Sequence, residues 1–358
     1  MNLSSKARFV IACATVALLA ACTSGEPQSA ALGPTVVNVA QSHGIIPSPA
    51  RELLTGSHPK RLKSWVSPSA KRAPRLLFVS DYGAGLVDIF SMPALTLKGQ
   101  LTGFSSPEGM CNDAAGNIWI ANTGLSEMQQ YSRTGQLLKT LPIPSEFPAS
   151  CSVNKSTNDL AVSDIVSTSG PGNIEVFTNA SGPGTVYTNT NIYEYFFVGY
   201  DISGNLFFDG TDSSRTTSYF AELPAGSSNT RTINLSGATL HLAGFVQWYY
   251  PGNYVALGDQ MCGGTTASCV YWVAVSGSTG TVTGTTNLNS YTGGAVCDLV
   301  EGVIAANLEK YLAGPDYEGS CGETSTADRW LYQAGGSPTN YNSTANFVEP
   351  IGAAISTK

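Results

Sequence analysis

Six strand-like segments of the chain each end in a carboxylate or its amide: LLFVSD at Asp81, IWIAN at Asn122, LAVSD at Asp164, LFFD at Asp209, YVALGD at Asp259 and YLAGPD at Asp316. Oxygen groups that recur at one level have two uses. Converging, they coordinate a divalent cation; kept apart, each accepts backbone N–H groups in its own turn. A feature repeated in every unit serves the repeat, whereas a catalytic site breaks symmetry, so the structural use is the expectation. Off this pattern stand Glu108 in SPEGM and Asp298 and Glu301 in CDLVEG, the candidate metal ligands. Of three histidines only His241 falls within the repeating part, where it reads as a packed residue rather than a base. No GxSxG, P-loop or HExxH motif occurs, so no catalytic constellation and no resident cofactor is expected.

These side chains need a frame to position them. Each acid-ending strand is followed by a loop and another strand (VDIFSM, MQQYSR, NIEVFTN, YFAELPA, VYWVAVSG, WLYQAGG). A polar, Thr-rich strand comes next, as in TVYTNTNI and TVTGTTNLN. All but the first are preceded by a further segment: GMCNDAAG, SCSVNKST, FFVGYDISG, GFVQWYYPG and AVCDLVEG. Four strands every ~40–50 residues, lengthening where loops are inserted, are the mark of a β-propeller. The fold class is therefore all-β, a six-bladed propeller of four-stranded antiparallel blades. One innermost strand is missing from the start of the chain, and Pro350 to Ser356 supplies it from the other end, beside Leu76 to Asp81. Pairing the two ends in one sheet removes exposed edges.

Pro107, Gly109, Asp113, Gly116, Asn117, Ile120 and Asn122 resemble the NHL repeat, which implies the same propeller and, in most members, a binding platform. Glu108-Gly109 at the head of an inner strand resembles the metal-ligand position of six-bladed gluconolactonase-type hydrolases. That resemblance implies an alternative activity, a hydrolase or lactonase using Ca²⁺ or Mg²⁺ with Asp298 and Glu301 as further ligands. The near absence of histidine argues against streptogramin-lyase-like chemistry, which needs a base of that kind.

Eight cysteines are present. Cys13 and Cys22 belong to the amino-terminal segment, and an even six remain, which in an exported chain reads as disulfides. Cys111 and Cys151 occupy the same place on adjacent inner strands, Cys262 and Cys269 flank one loop, and Cys297 and Cys321 share a blade. The expected pairs follow in that order. The spacings hold no C-x-x-C, and no metal-thiolate site is expected.

Lys6 and Arg8 precede the apolar run FVIACATVALLAAC, too short to span a bilayer as a mature helix. Its end, Leu19-Ala20-Ala21-Cys22, looks like a bacterial lipobox, which implies cleavage before Cys22 and lipidation of that residue. Thr23 to Pro74 is rich in Ser, Pro and Ala without sustained periodicity and reads as a tether on the order of 40 Å end to end. The domains expected are a signal peptide over 1–21, a tether over 22–74 and the propeller over 75–358. A net charge of −7 and pI near 5.0 argue against nucleic acid. The aromatics Trp248, Tyr249 and Tyr250, with Tyr193, Tyr195, Phe196 and Phe197, read as core, a remainder being available to stack on sugar or peptide.

The functional expectation is an exported lipoprotein, monomeric and held at the outer membrane or cell surface through its lipid. It would act as a non-catalytic scaffold for an envelope protein, peptide or glycan.

Overall fold

The computed structural model describes residues 63–305, 310–317, 321 and 323–357. The first sheet takes β1 (Trp65–Val66), β2 (Arg75–Asp81), β3 (Leu86–Met92) and β4 (Thr96–Thr102). The second comprises β5 (Pro107–Asn112), β6 (Ile118–Asn122), β7 (Glu127–Tyr131) and β8 (Leu137–Pro142). The third comprises β9 (Glu146–Val153), β10 (Leu160–Ser167), β11 (Pro171–Phe177) and β12 (Thr185–Tyr187). Next come β13 (Glu194–Tyr200), β14 (Leu206–Thr211), β15 (Ser218–Leu223) and β16 (Arg231–Ser236), then β17 (Ala243–Tyr249), β18 (Tyr254–Asp259), β19 (Cys269–Ser276) and β20 (Thr279–Asn287). The last are β21 (Val303–Ala305), β22 (Tyr311–Asp316), β23 (Thr326–Leu331), β24 (Asn340–Asn342) and β25 (Pro350–Thr357).

The strands form antiparallel meanders arranged as an all-β propeller. Their hydrogen bonding defines five sheets, of five, four, eight, four and four strands. The eight-stranded sheet is two meanders of four, joined where β16 runs parallel to β20 from Asn234↔Thr279 to Ser236↔Thr281. Gly280 permits that approach, because a Cβ there would sit 2.9 Å from Ile233 and 3.0 Å from Leu235. β25 pairs with β2 from Arg75↔Thr357 to Asp81↔Pro350.

Alternation along β2 explains its position. Leu76 and Phe78 pack on Met110, Ile118 and Ile120 of the second sheet. Leu77 and Val79 pack on Tyr311, Ala313 and Ala327 of the last. A strand apolar on both faces has to be covered on both, and the first sheet lies between its two neighbours.

Two expectations need correction. The stretch 22–74 is not all tether: Trp65–Val66 pairs with Gly99 and Gln100 of β4, a strand too short to leave a period in the sequence. AVCDLVEG is not an inner strand either, since β21 begins at Val303. The amides of that segment go elsewhere, Leu299 N to Ser268 Oγ at 3.0 Å and Glu301 N to Ile351 O at 3.0 Å. Cys22 and the leader lie outside the described residues. Three disulfides, Cys111–Cys151, Cys262–Cys269 and Cys297–Cys321, tie the fold. They point to an oxidising environment.

Candidate functional site

The repeated acids stand where the inner strands leave regular register. Bulges occur at Ser80/Asp81, between Pro107 and Met110, at Ser163/Asp164, between Tyr195 and Val198, and between Ala243 and Val246. A bulge frees backbone amides from the ladder, and the side chain at the end of the second strand takes them up. Asp81 accepts from Ala84, Val348 and Glu349 N–H at 2.8–3.0 Å. Asn122 accepts from Ser105 N at 2.8 Å, and Asp209 from Phe197 N at 3.0 Å. Asp259 accepts from His241, Leu242 and Met261 N–H and from the Tyr271 hydroxyl, at 3.0–3.2 Å. Asp316 is buried at the equivalent place. Asp164 differs: both its oxygens are buried without a partner. Burial, then Glu146 and Glu175, push its carboxyl well above the usual range.

A second row accompanies the first. Two residues before each acid, the cross-strand partners are Asp88, Gln129, Glu175, Glu222, Tyr271 and Asp328. Sequence reading missed it because the residue type changes from blade to blade. Aligning the third strands on the acid of the second would have revealed it. Several members bond within their own sheet: Asp88 accepts from Gln100 at 3.0 Å, Glu222 pairs with Arg231 at 2.7 Å, and Tyr271 donates to Asp259.

The three off-pattern acids are all buried. Glu301 lies on the central axis. Its Oε2 accepts from Met110 N and Ala353 N, each at 2.9 Å, and its Oε1 from Ser150 Oγ at 2.8 Å. It thus accepts from three inner strands, β5, β9 and β25, and burial pushes the carboxyl up to about 7. Glu108 is a neighbour with neither oxygen partnered; burial, then Glu349 and Glu301, hold it well above the ordinary range. Asp298 is set beside Tyr317, whose N–H donates to the Asp298 carbonyl at 3.0 Å. Among the described residues no group of three or more His, Cys, Asp or Glu is arranged to hold a metal ion. His241, expected to be packed, is exposed, with Nδ1 3.6 Å from Asp259 Oδ2.

Beneath Glu301 a cavity of ≈ 370 Å³ opens toward the turns that follow the inner strands. Ser150, Ser152, Tyr200, Phe245 and Trp248 line it, with Lys155, Ile202 and Tyr250 at its rim. The aromatic cluster of the sequence is therefore divided. Trp248 and Tyr250 face the cavity, whereas Tyr249, 1% exposed, packs on Tyr254 and Tyr332. Tyr195, Phe196 and Phe197 are core, and Tyr193 lies at the opposite end of its strand.

No family model matches the sequence, and no curated protein matches it. Solved structures do. A structure of a nidogen/laminin complex superposes with TM-score 0.57 at 10% identity, over 79% of this chain and 98% of that one. A protein of unknown function from Bacteroides caccae superposes with TM-score 0.57 at 12% identity, over 80% of this chain and all (100%) of that one. At these identities the likeness establishes the propeller fold.

Proposed function

We propose that the chain is an exported, lipid-anchored, six-bladed propeller that binds a ligand without transforming it. The blade count rests on reading the eight-stranded sheet as two blades and on β25 completing the first. Residues 1–21 would be removed, Cys22 acylated, and the segment from Cys22 toward Trp65 would tether the propeller to the membrane. Partners are an envelope protein, peptide or glycan, and no cofactor is required. The nidogen/laminin complex supports the reading only in showing that one propeller of this shape belongs to a protein assembly.

The observation that carries the proposal is the allocation of charge around the cavity. Glu301, which lines it, accepts hydrogen bonds from Met110, Ala353 and Ser150. Asp201, at the rim, accepts from Ser203 and Asn205 N–H within its own turn. A concave site with aromatic walls, whose two carboxyl groups are hydrogen-bonded inside the protein and whose one amine, Lys155, stands at the rim, is read as binding rather than reacting.

One observation favours the hydrolase reading, the unpartnered oxygens of Glu108. Calorimetric titration of chelator-stripped protein with Ca²⁺, Mg²⁺ and Zn²⁺, with lactone hydrolysis followed in parallel, separates the two. The binding reading expects no metal-dependent turnover; turnover lost in Glu108→Gln overturns it. Lipidation is tested by palmitate labelling in a bacterial host, which Cys22→Ala should abolish.

A further inference from the structure

We infer that the axial cavity takes an uncharged, hydroxyl-rich six-membered ring, a mono- or disaccharide. The inference rests on the binding reading above and names the chemistry of its ligand.

Size sets the first bound. At ≈ 370 Å³ the cavity stands at the small end of the roughly 300–1,000 Å³ used for small ligands. It encloses one or two rings and not an extended peptide. Charge sets the second. Lys155 is the one cation among the lining residues, and phosphate or carboxylate recognition calls for several converging donors. The two anions, Glu301 and Asp201, are already hydrogen-bonded inside the protein, which disfavours a cationic ligand.

What remains is polar chemistry beside flat apolar surface. Trp248 is among the residues that line the cavity; one face of its indole stacks on Phe207 at 6.3 Å, and its Nε1 is buried without an acceptor. A buried indole N–H left unpaired is costly, and a ligand oxygen that reached it would supply the missing acceptor. Ser152 Oγ accepts Tyr200 N–H at 3.0 Å, so its own proton is free to be donated. Tyr250, with 65% of its surface exposed, and Ile202, at 62%, both belong to the rim. Large apolar side chains left in solvent around a concave site mark a contact surface. A sugar ring matches this set, since its C–H face stacks on an aromatic plane while its hydroxyls both donate and accept.

The test uses the full chain on an array of immobilised glucose, galactose, mannose and N-acetylglucosamine with their β-linked disaccharides. Solution titration of any hit is by calorimetry. Adenosine and a mixed tripeptide library serve as the other probes. Trp248→Phe keeps the ring and removes the N–H; Tyr250→Ala alters an exposed side chain and leaves the core intact. The expected result is saturable binding of at least one saccharide, weakened about ten-fold or more by each variant with unchanged unfolding midpoints. Absence of saccharide binding, or binding that neither variant alters, overturns the inference. Nucleoside or peptide binding lost in the same variants overturns the sugar assignment and leaves the binding reading standing. Failure of every probe class overturns the inference and leaves the binding reading only a protein partner.

Discussion

The hydroxyl of Ser150 donates to Glu301 Oε1 at 2.8 Å, joining β9 to the segment that leads into β21 across 151 residues of sequence. With Met110 and Ala353 donating to Oε2, one carboxyl fastens three inner strands around the axis. Burial raises it from 4.5 to about 7, so the folded chain holds this proton more tightly than the unfolded one. Stability from this group is fully present below about pH 4.5 and is lost as pH rises toward 7. The loss is on the order of 3 kcal/mol at about 1.36 kcal/mol per unit. Asp88, raised to about 7 chiefly by burial, acts in the same direction. Thermal unfolding should therefore give a higher midpoint at pH 5 than at pH 8.

Substitution at Glu301 separates the clamp from its charge. When the carboxyl is protonated, Oε2 still accepts two N–H groups and the acid proton turns toward Ser150 Oγ. Glutamine reproduces that pattern atom for atom, with its amide N–H₂ replacing the acid O–H. Glu301→Gln should lie within about 1 kcal/mol of wild type at pH 5, and its midpoint should change less between pH 5 and 8. Glu301→Ala leaves two buried amides unpaired and should cost about 3–5 kcal/mol. Equal losses for Gln and Ala, measured by urea unfolding, would refute the clamp.

The repeated acids make unequal contributions that sequence alone does not separate. Asp259 accepts four hydrogen bonds, so Asp259→Ala should destabilise by about 3–5 kcal/mol, each lost partner of a buried donor being costly. Asp164 accepts none, and its ionised form is opposed by burial and by Glu146 and Glu175. Asp164→Asn should fall within about 1 kcal/mol of wild type, on the stabilising side, as pH rises. Urea midpoints at pH 7.5 rank the two; a large loss for Asp164→Asn would mean its carboxylate is bound to something.

How far the sequence revealed this arrangement follows from what sequence encodes. The acid-ending strands were legible because strands buried on both faces show as continuous apolar runs, each stopped by Asp or Asn at a turn. Glu301 was legible as an unusual acid but not as a clamp. Its partners are backbone amides at Met110 and Ala353, and backbone groups leave no trace in residue identity. Trp248, Tyr249 and Tyr250 are consecutive, yet alternation along β17 sends Tyr249 into the core and Trp248 to the cavity, while Tyr250 follows the end of the strand. A period-2 reading of β17 separates them.

The disulfides should rank by the loop each closes. Cys111–Cys151 spans 40 residues and joins β5 to β9, whereas Cys262–Cys269 spans 7. Loop-closure entropy assigns about 4 kcal/mol to the first and about 2.5 to the second. Paired Cys→Ala variants, unfolded in guanidinium, should lose more stability at 111/151 than at 262/269. The reverse order would mean that the loops are already constrained in the unfolded chain.

The carboxyl-terminal strand supplies the last prediction. β25 gives Ala353 N–H to Glu301 and accepts Glu301 N–H at the Ile351 carbonyl, while laying its length along β2. A chain ending at Glu349 would expose the inner edge of β2 and leave Glu301 with an unfilled acceptor and donor. An exposed hydrophobic edge of this kind recruits other strands, so the truncated chain should aggregate or unfold without a cooperative transition. A synthetic peptide of residues 350–358, supplied during refolding, should restore a cooperative transition. The same peptide with Ala353→Pro should not, because proline has no N–H to donate and fits poorly against the central strand β2. A truncated chain that unfolds at the wild-type midpoint without peptide would show that β25 contributes nothing to holding the sheets together.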